Sequence, residues 1–194
     1  ELAQLVDAAV GRWDPYSPAP DTEPGREYRD ELAREVAAVR TNPAYRALDD
    51  APGRLRELEF YHLISADDFL QGKIDLAAAA DGGIAALDVK TGGGDRDALQ
   101  RKADGYALQR SVYVGALEAV SGLPVRSFAF HFASNGVQIG EPVSDELRRA
   151  GAVEVTQALE AMGGDAPALT KYPAECRWCG YRKEKWCPGV RETA

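Results

Sequence analysis

Cysteine is nearly missing from this 194-residue chain: there are three, at positions 176, 179 and 187, all within the last twenty residues. That is too few, and too clustered, for a disulfide scaffold, and a reducing cytoplasm is the simpler setting. No apolar run approaches the roughly 18 residues needed to span a bilayer, so no membrane-embedded role is expected. No basic, apolar leader opens the chain, and nothing marks it for secretion. Methionine is scarcer still. The only one is Met162, and the chain starts at Glu1, which points to a piece of a longer protein. Basic charge is also short: 23 Lys and Arg stand against 31 Asp and Glu, for a net charge of −8. That balance argues against a protein that coats nucleic acid without selectivity, since neutralising phosphates takes clustered cations. It leaves open an enzyme acting on nucleic acid, because a bound metal ion can reverse the local field.

What is present is a 45% hydrophobic chain of a length that supports one buried core. Residues 1–50 read as helical, with Leu2, Leu5, Val6, Ala9 and Val10 at helical spacing, a Pro-rich loop over 14–25, then a stripe of Tyr28, Leu32, Val36 and Val39. Asn42-Pro43 and the stretch 49–53 carry breaker signals. From Leu58 the period changes to two, predicting strands over 58–64, 69–79 and 84–90, the last two joined by an Asp81-Gly82-Gly83 hairpin signal. A long helix is predicted over 97–119, strands over 125–133 and 137–143, and a helix over 144–162 behind the Ser144 cap. This order predicts an α/β fold, a mixed central sheet flanked by helices. A helical segment over 1–56, a core over 57–143 and a C-terminal helix and cysteine tail over 144–194 are expected to form a single domain.

Chemistry concentrates between Gly72-Lys73-Ile74-Asp75 and Leu87-Asp88-Val89-Lys90-Thr91. Alternation puts Asp88 and Lys90 on one face of a strand and Val89 on the other. Pairing across the Gly82-Gly83 turn would bring Asp75 beside Asp88. Two adjacent carboxylates repel unless a cation joins them, and Mg²⁺, with its preference for one or two carboxylates plus water and phosphate oxygens, fits that need. The Val89 carbonyl is a candidate further ligand. Lys90 is then placed to orient an attacking water or to neutralise charge developing on a phosphate. The plain alternative is a solvated face, but charged groups on an otherwise apolar strand need a partner or a purpose.

Glu59-Phe60-Tyr61, Gly72-x-Ile74-Asp75, Asp88-Val89-Lys90-Thr91 and Gln109-x-x-x-Tyr113 occur in the order and spacing of one family. The sequence resembles the RecB-type branch of the PD-(D/E)XK nuclease superfamily, well over 58–119 and more loosely over 128–136. The resemblance implies a restriction-endonuclease-like fold and a Mg²⁺- or Mn²⁺-dependent DNA exonuclease domain. It would belong to a bacterial helicase–nuclease, acting in double-strand-break end processing and recombination repair on single strands fed by a helicase domain or subunit. Asp75 and Asp88 would be metal ligands and Lys90 the catalytic lysine, while Gln109 and Tyr113 would lie near the site and support DNA binding. Ordinary helix packing for Tyr113 and exposure for Gln109 are the alternatives.

Relatives usually carry a metal-binding histidine on a helix before the first strand, and residues 1–57 contain none. Either it lies upstream of Glu1 or it is absent. His62 and His131 are expected to be structural, and Glu59 is either an extra carboxylate or an ordinary strand-face residue. The Cys176-x2-Cys179-x7-Cys187 tail resembles the C-terminal triplet of AddB-like nucleases, where a fourth, distant cysteine completes a [4Fe-4S] cluster. Such a cysteine would have to lie outside this chain; zinc and three free thiols are the other readings. Lys171, Arg177, Arg182, Lys183, Lys185 and Arg191, interleaved with Trp178, Tyr181 and Trp186, could hold a single strand or merely cap a metal site. A catalytically inactive domain of the same fold that binds DNA or braces a partner is the main rival reading. A restriction-type or CRISPR-adaptation nuclease is a third.

Overall fold

Asp81 and Gly82 form the two-residue turn between the second and third strands, with φ of 44° and 74°. Positive φ at both positions matches the right-handed twist of a hairpin, which is why an Asp-Gly pair there fixes the register. That register runs from Ala80↔Gly83 to Leu76↔Leu87.

The structure, a computed structural model, describes residues 2–13, 16–66 and 68–163. Its elements are α1 (Leu2–Trp13), α2 (Glu23–Thr41), α3 (Pro43–Asp49), β1 (Leu55–Leu63), β2 (Phe69–Ala80), β3 (Gly83–Lys90), α4 (Arg96–Gly105), α5 (Ala107–Ser121), β4 (Val125–Phe132), β5 (Val137–Pro142) and α6 (Asp145–Gly163). The strands lie in the order β1-β2-β3-β4-β5. All neighbours are antiparallel except β3 and β4, which are parallel and joined by the helical crossover α4–α5. The predicted mixed α/β sheet flanked by helices is therefore the observed fold.

The chain divides into one compact unit over Glu1–Ala152, which carries the sheet, and a second over Val153–Ala194. In the first unit, β3 is buried from Gly83 to Asp88, and only Val89 and Lys90 at its end are partly exposed. This is expected of a central strand with a parallel neighbour, covered on both faces. One core gathers Phe60, Ile74, Leu99, Tyr113, Leu117, Phe128, Phe130 and Phe132. Gly72 is where β2 lets this core close. A Cβ there would meet the Phe60 ring at 2.5 Å and the Tyr113 ring at 3.3 Å. The glycine of the Gly-x-Ile-Asp segment thus makes room for an edge-to-face pair, Phe60 on Tyr113, with ring centroids 5.7 Å apart.

Several boundaries differ from those the sequence predicts. Helix α2 begins at Glu23, inside the predicted loop, because Thr22 caps it by accepting from the Gly25 N–H. Asn42-Pro43 is a stop followed at once by a start: the Asn42 side chain accepts from Ala44 N and Tyr45 N, and Pro43 opens α3. Strand β1 begins at Leu55, three residues before the alternation becomes visible. The single helix predicted over 97–119 is two, broken at Tyr106, whose φ of −97° and ψ of 12° are not helical. No helix among the described residues is long and apolar enough to cross a membrane.

Candidate active site

At the end of β3 the alternation of side chains holds. Lys90 Nζ lies 2.6 Å from Asp88 Oδ2, with the lysine side chain 16% and the aspartate 5% exposed. The ammonium is held from the helical side as well. It donates to Gln109 Oε1 at 2.8 Å, and Gln109 Nε2 in turn donates to the Tyr113 hydroxyl at 2.8 Å. The Tyr106 ring centroid is 4.4 Å from the same ammonium and that of Phe130 is 5.6 Å. Tyr113 is itself buried against Phe60 and Phe128. A continuous set of contacts therefore runs from the packed core through Tyr113 and Gln109 to Lys90. The i, i+4 spacing of Gln109 and Tyr113 on α5 is what lines them up.

Asp75 arrives from β2 through a lapse in strand pairing. Register pairs Leu58 with Ile74 and Arg56 with Leu76, but Glu57 and Asp75 between them are unpaired, and Glu57 has a φ of 52°. Ile74 and Ala77 both enter the same core cluster, which strict alternation would forbid. Such irregularities bend a strand and re-aim a side chain. The Asp75 carboxylate meets the strand that carries Asp88: its Oδ2 accepts from the Val89 N–H at 2.6 Å.

Burial pushes the Asp75 carboxyl up; the Val89 N–H opposes this, Glu57 adds to it, and Lys90 and Lys73 oppose it. Asp88 is likewise pushed up, first by burial, against the Lys90 hydrogen bond, and then by the charge of Asp75. The two acids thus disfavour each other's ionisation, as neighbouring carboxylates do in the absence of a bridging cation. Asp88 Oδ2, although ion-paired with Lys90, is buried without a well-aimed hydrogen-bond partner. A hard divalent cation suits this donor set, since it would take up the unsatisfied oxygen and quench the repulsion. Among the described residues no group of three or more His, Cys, Asp or Glu side chains is placed to hold a metal. The two aspartates match an ion that keeps several waters and phosphate oxygens, and do not match a closed all-protein cage.

Glu57 is a site neighbour that the sequence does not single out; the carboxylate its pattern suggests is Glu59. Glu59 pairs in register with Lys73. Glu57 forms an ion pair with Lys73 at 2.8 Å and adds negative potential at both Asp75 and Asp88. The signal that could have found it is the β1–β2 register, in which Glu57 falls opposite Asp75, between the pairs Arg56↔Leu76 and Leu58↔Ile74. Tyr45 on α3 carries no such signal. Its hydroxyl titrates high, chiefly through burial and Asp49, with a smaller contribution from Asp75. Tyr106, in sequence one of several large residues on a helix, stands over Lys90. Of the histidines, His62 lies on β1 in register with Leu70, and His131 is fully buried on β4 beside Val89. Cys176, Cys179 and Cys187, with the basic residues and aromatics around them, lie outside the described residues.

With this geometry in place, comparison with known proteins gives a family. The sequence profile of the PD-(D/E)XK nuclease superfamily matches residues 1–188. Among solved structures the chain is similar to a Eubacterium rectale protein carrying the name "Putative exonuclease". The TM-score is 0.53 and identity 15%, over 82% of this chain and 65% of that one. It spans about two thirds of that protein's length. A second structure, named SSO0001, matches at 11% identity over 96% of this chain and 82% of that one, with a TM-score of 0.46, too distant to carry an argument. No curated protein sequence matches the chain.

Proposed function

The chain belongs to the PD-(D/E)XK nuclease superfamily, and on that premise we propose that it is a metal-dependent deoxyribonuclease with Asp75, Asp88 and Lys90 at its centre. The observation that carries the proposal is the Lys90 ammonium, 2.6 Å from the buried Asp88 carboxylate and 2.8 Å from Gln109. A buried charged pair at the end of an apolar strand costs desolvation energy, and such pairs concentrate at sites whose chemistry uses them.

Asp75 and Asp88, with the Val89 carbonyl as a further oxygen donor, would hold Mg²⁺ or Mn²⁺. When bound, that ion would supply Lewis-acid stabilisation of a phosphate and a water made acidic enough to attack it. Lys90 keeps its proton-bearing nitrogen beside the carboxylates, where it orients the attacking water and offsets charge building on the phosphate. Glu57 and Lys73 set the local field without entering the reaction. Gln109 and Tyr113 act at the site by fixing Lys90, and the motif they form supports DNA binding from α5.

The finer assignment rests on the segments from Glu59 to Tyr113 and on the cysteine tail. They favour the RecB-type branch, with exonucleolytic action on single strands delivered by a helicase partner during end processing and recombination repair. Cys176, Cys179 and Cys187 would join a fourth cysteine beyond this chain around a [4Fe-4S] cluster. Residues 1–194 would act together as one nuclease domain.

The test is Mg²⁺-dependent degradation of end-labelled single-stranded DNA by the intact chain and by Asp88→Ala and Lys90→Ala. Cleavage by the parent alone supports the proposal. Equal cleavage by all three removes this site from the chemistry. Tight binding without cleavage by any of them would leave a DNA-binding domain of nuclease fold.

A further inference from the structure

Where local periodicity predicts one helix the structure has two, and the residue at the break is Tyr106. Its N–H donates to Ala103 O at 3.0 Å, closing α4, and its carbonyl accepts from Arg110 N at 2.9 Å, opening α5. No proline is present to force the break, and a single residue in the sparsely populated region near φ −97°, ψ 12° joins the two helices. Tyr106 heads the stripe that continues with Gln109 and Tyr113, at i+3 and i+7, so one face of α5 delivers all three toward β3. Its ring sits 4.4 Å from Lys90 Nζ and 5.4 Å from the Phe130 ring.

A lysine ammonium has three N–H donors on a flexible four-carbon stem. Gln109 takes one of them, and the Asp88 carboxylate draws the head as an ion pair at 2.6 Å. Neither prevents the head from swinging outward. An aromatic face within about 6 Å of a cation attracts it without consuming a donor. We infer that Tyr106 is a positioning residue for Lys90: its ring holds the ammonium against Asp88 and Gln109 without using a donor, and so leaves an N–H for the substrate phosphate. This rests on the reading of Lys90 as the lysine of a nuclease site. It adds a residue that neither the Asp75/Asp88/Lys90 set nor the Gln109/Tyr113 pair includes.

Two readouts test it. The first is kcat and KM for Mg²⁺-dependent cleavage of single-stranded DNA by the intact chain, Tyr106→Phe, Tyr106→Leu and Lys90→Ala. Tyr106→Phe keeps the ring and should stay within about twofold of the parent, while Tyr106→Leu should lose about fivefold to thirtyfold in kcat with KM unchanged, the range for a partly desolvated cation–π contact. The second needs no activity: with ¹³C-lysine, the Lys90 ε-methylene resonance, assigned by its absence in Lys90→Ala, should be shifted upfield by the ring. It should move toward the free-lysine position in Tyr106→Leu but not in Tyr106→Phe. Parent kcat in Tyr106→Leu, an equal loss in Tyr106→Phe, a rise in KM alone, or an unshifted ε-methylene in the parent would each overturn the inference. If Lys90→Ala cleaves like the parent, the catalytic reading of Lys90 fails. The resonance then still reports separately whether the ring holds the ammonium.

Discussion

His131 offers a prediction whose direction follows from burial alone. It is 0% exposed, on β4 between Val89 of β3 and Gln138 of β5. Both ring nitrogens lack a hydrogen-bond partner, as does the neighbouring Gln138 Nε2. Desolvation pushes the imidazole below its ordinary 6.5, so it is buried neutral. The unfolded chain then takes up a proton at this residue before the folded one does. Stability is fully present above about pH 6.5 and is lost as pH falls below it, at up to about 1.4 kcal/mol per unit until the folded group titrates. Going from pH 7.5 to 5.5 should therefore lower stability through this residue, by no more than about 1.4 kcal/mol. Replacing it by leucine removes that loss together with two orphaned polar atoms. His131→Leu should therefore be more stable by about 1–2 kcal/mol at pH 7.5, and the gap should widen at pH 5.5, by at most about 1.4 kcal/mol. Asp75 and Asp88, raised in the folded state, act with the opposite sign but are common to both proteins and cancel in the difference. Urea unfolding followed by circular dichroism at the two pH values measures it. Parallel pH dependence in parent and variant would mean that the imidazole is solvated or already paired, and this account of its burial would fall.

Three further predictions concern the site and its support. Mg²⁺ at 10 mM should raise the melting temperature of the parent by roughly 3–6 °C, taking a millimolar dissociation constant, and should leave Asp88→Asn unmoved. Because burial raises both carboxyls, this shift should fade on acidification at a pH above the usual carboxylate range, and an equal shift in Asp88→Asn would place the ion elsewhere. Gln109→Leu takes an acceptor from the Lys90 ammonium and should lower kcat by about tenfold to a hundredfold with little change in KM; a raised KM with intact kcat would mean that Gln109 contacts DNA instead. Gly72→Ala forces a Cβ to 2.5 Å from Phe60 and should cost about 1–3 kcal/mol. Phe60→Leu in the same chain should recover part of that loss in a thermal melt, and strictly additive costs would argue against the contact.

The strand meander, the hairpin and the chemistry carried at the end of β3 are all legible in the order of residues. They follow from local rules: side chains alternate along a strand, an Asp-Gly pair supplies two positive φ values, and an aspartate two residues before a lysine shares its face. With the turn fixed, the register placing Asp75 near Asp88 follows by counting. The family motif points to Gln109 and Tyr113, but not to the hydrogen bonds that tie them to Lys90.

The remainder depends on contacts between residues far apart in the chain, and it emerges only when the layers pack. Glu57 takes a positive φ and Asp75 turns toward the Val89 N–H where the pairing of β1 and β2 lapses for one residue on each strand, and neither residue type announces it. The helix over 97–119 breaks at Tyr106, directly after Gly105, a local breaker; what the sequence does not show is that Tyr106 then packs on Phe130 and Lys90, which come from other strands. Gly72 reads as a weak point in a strand until Phe60 and Tyr113 are seen filling the space above it. Local periodicity encodes which face a side chain takes; which other side chain it meets there is set by how helices and sheet come together.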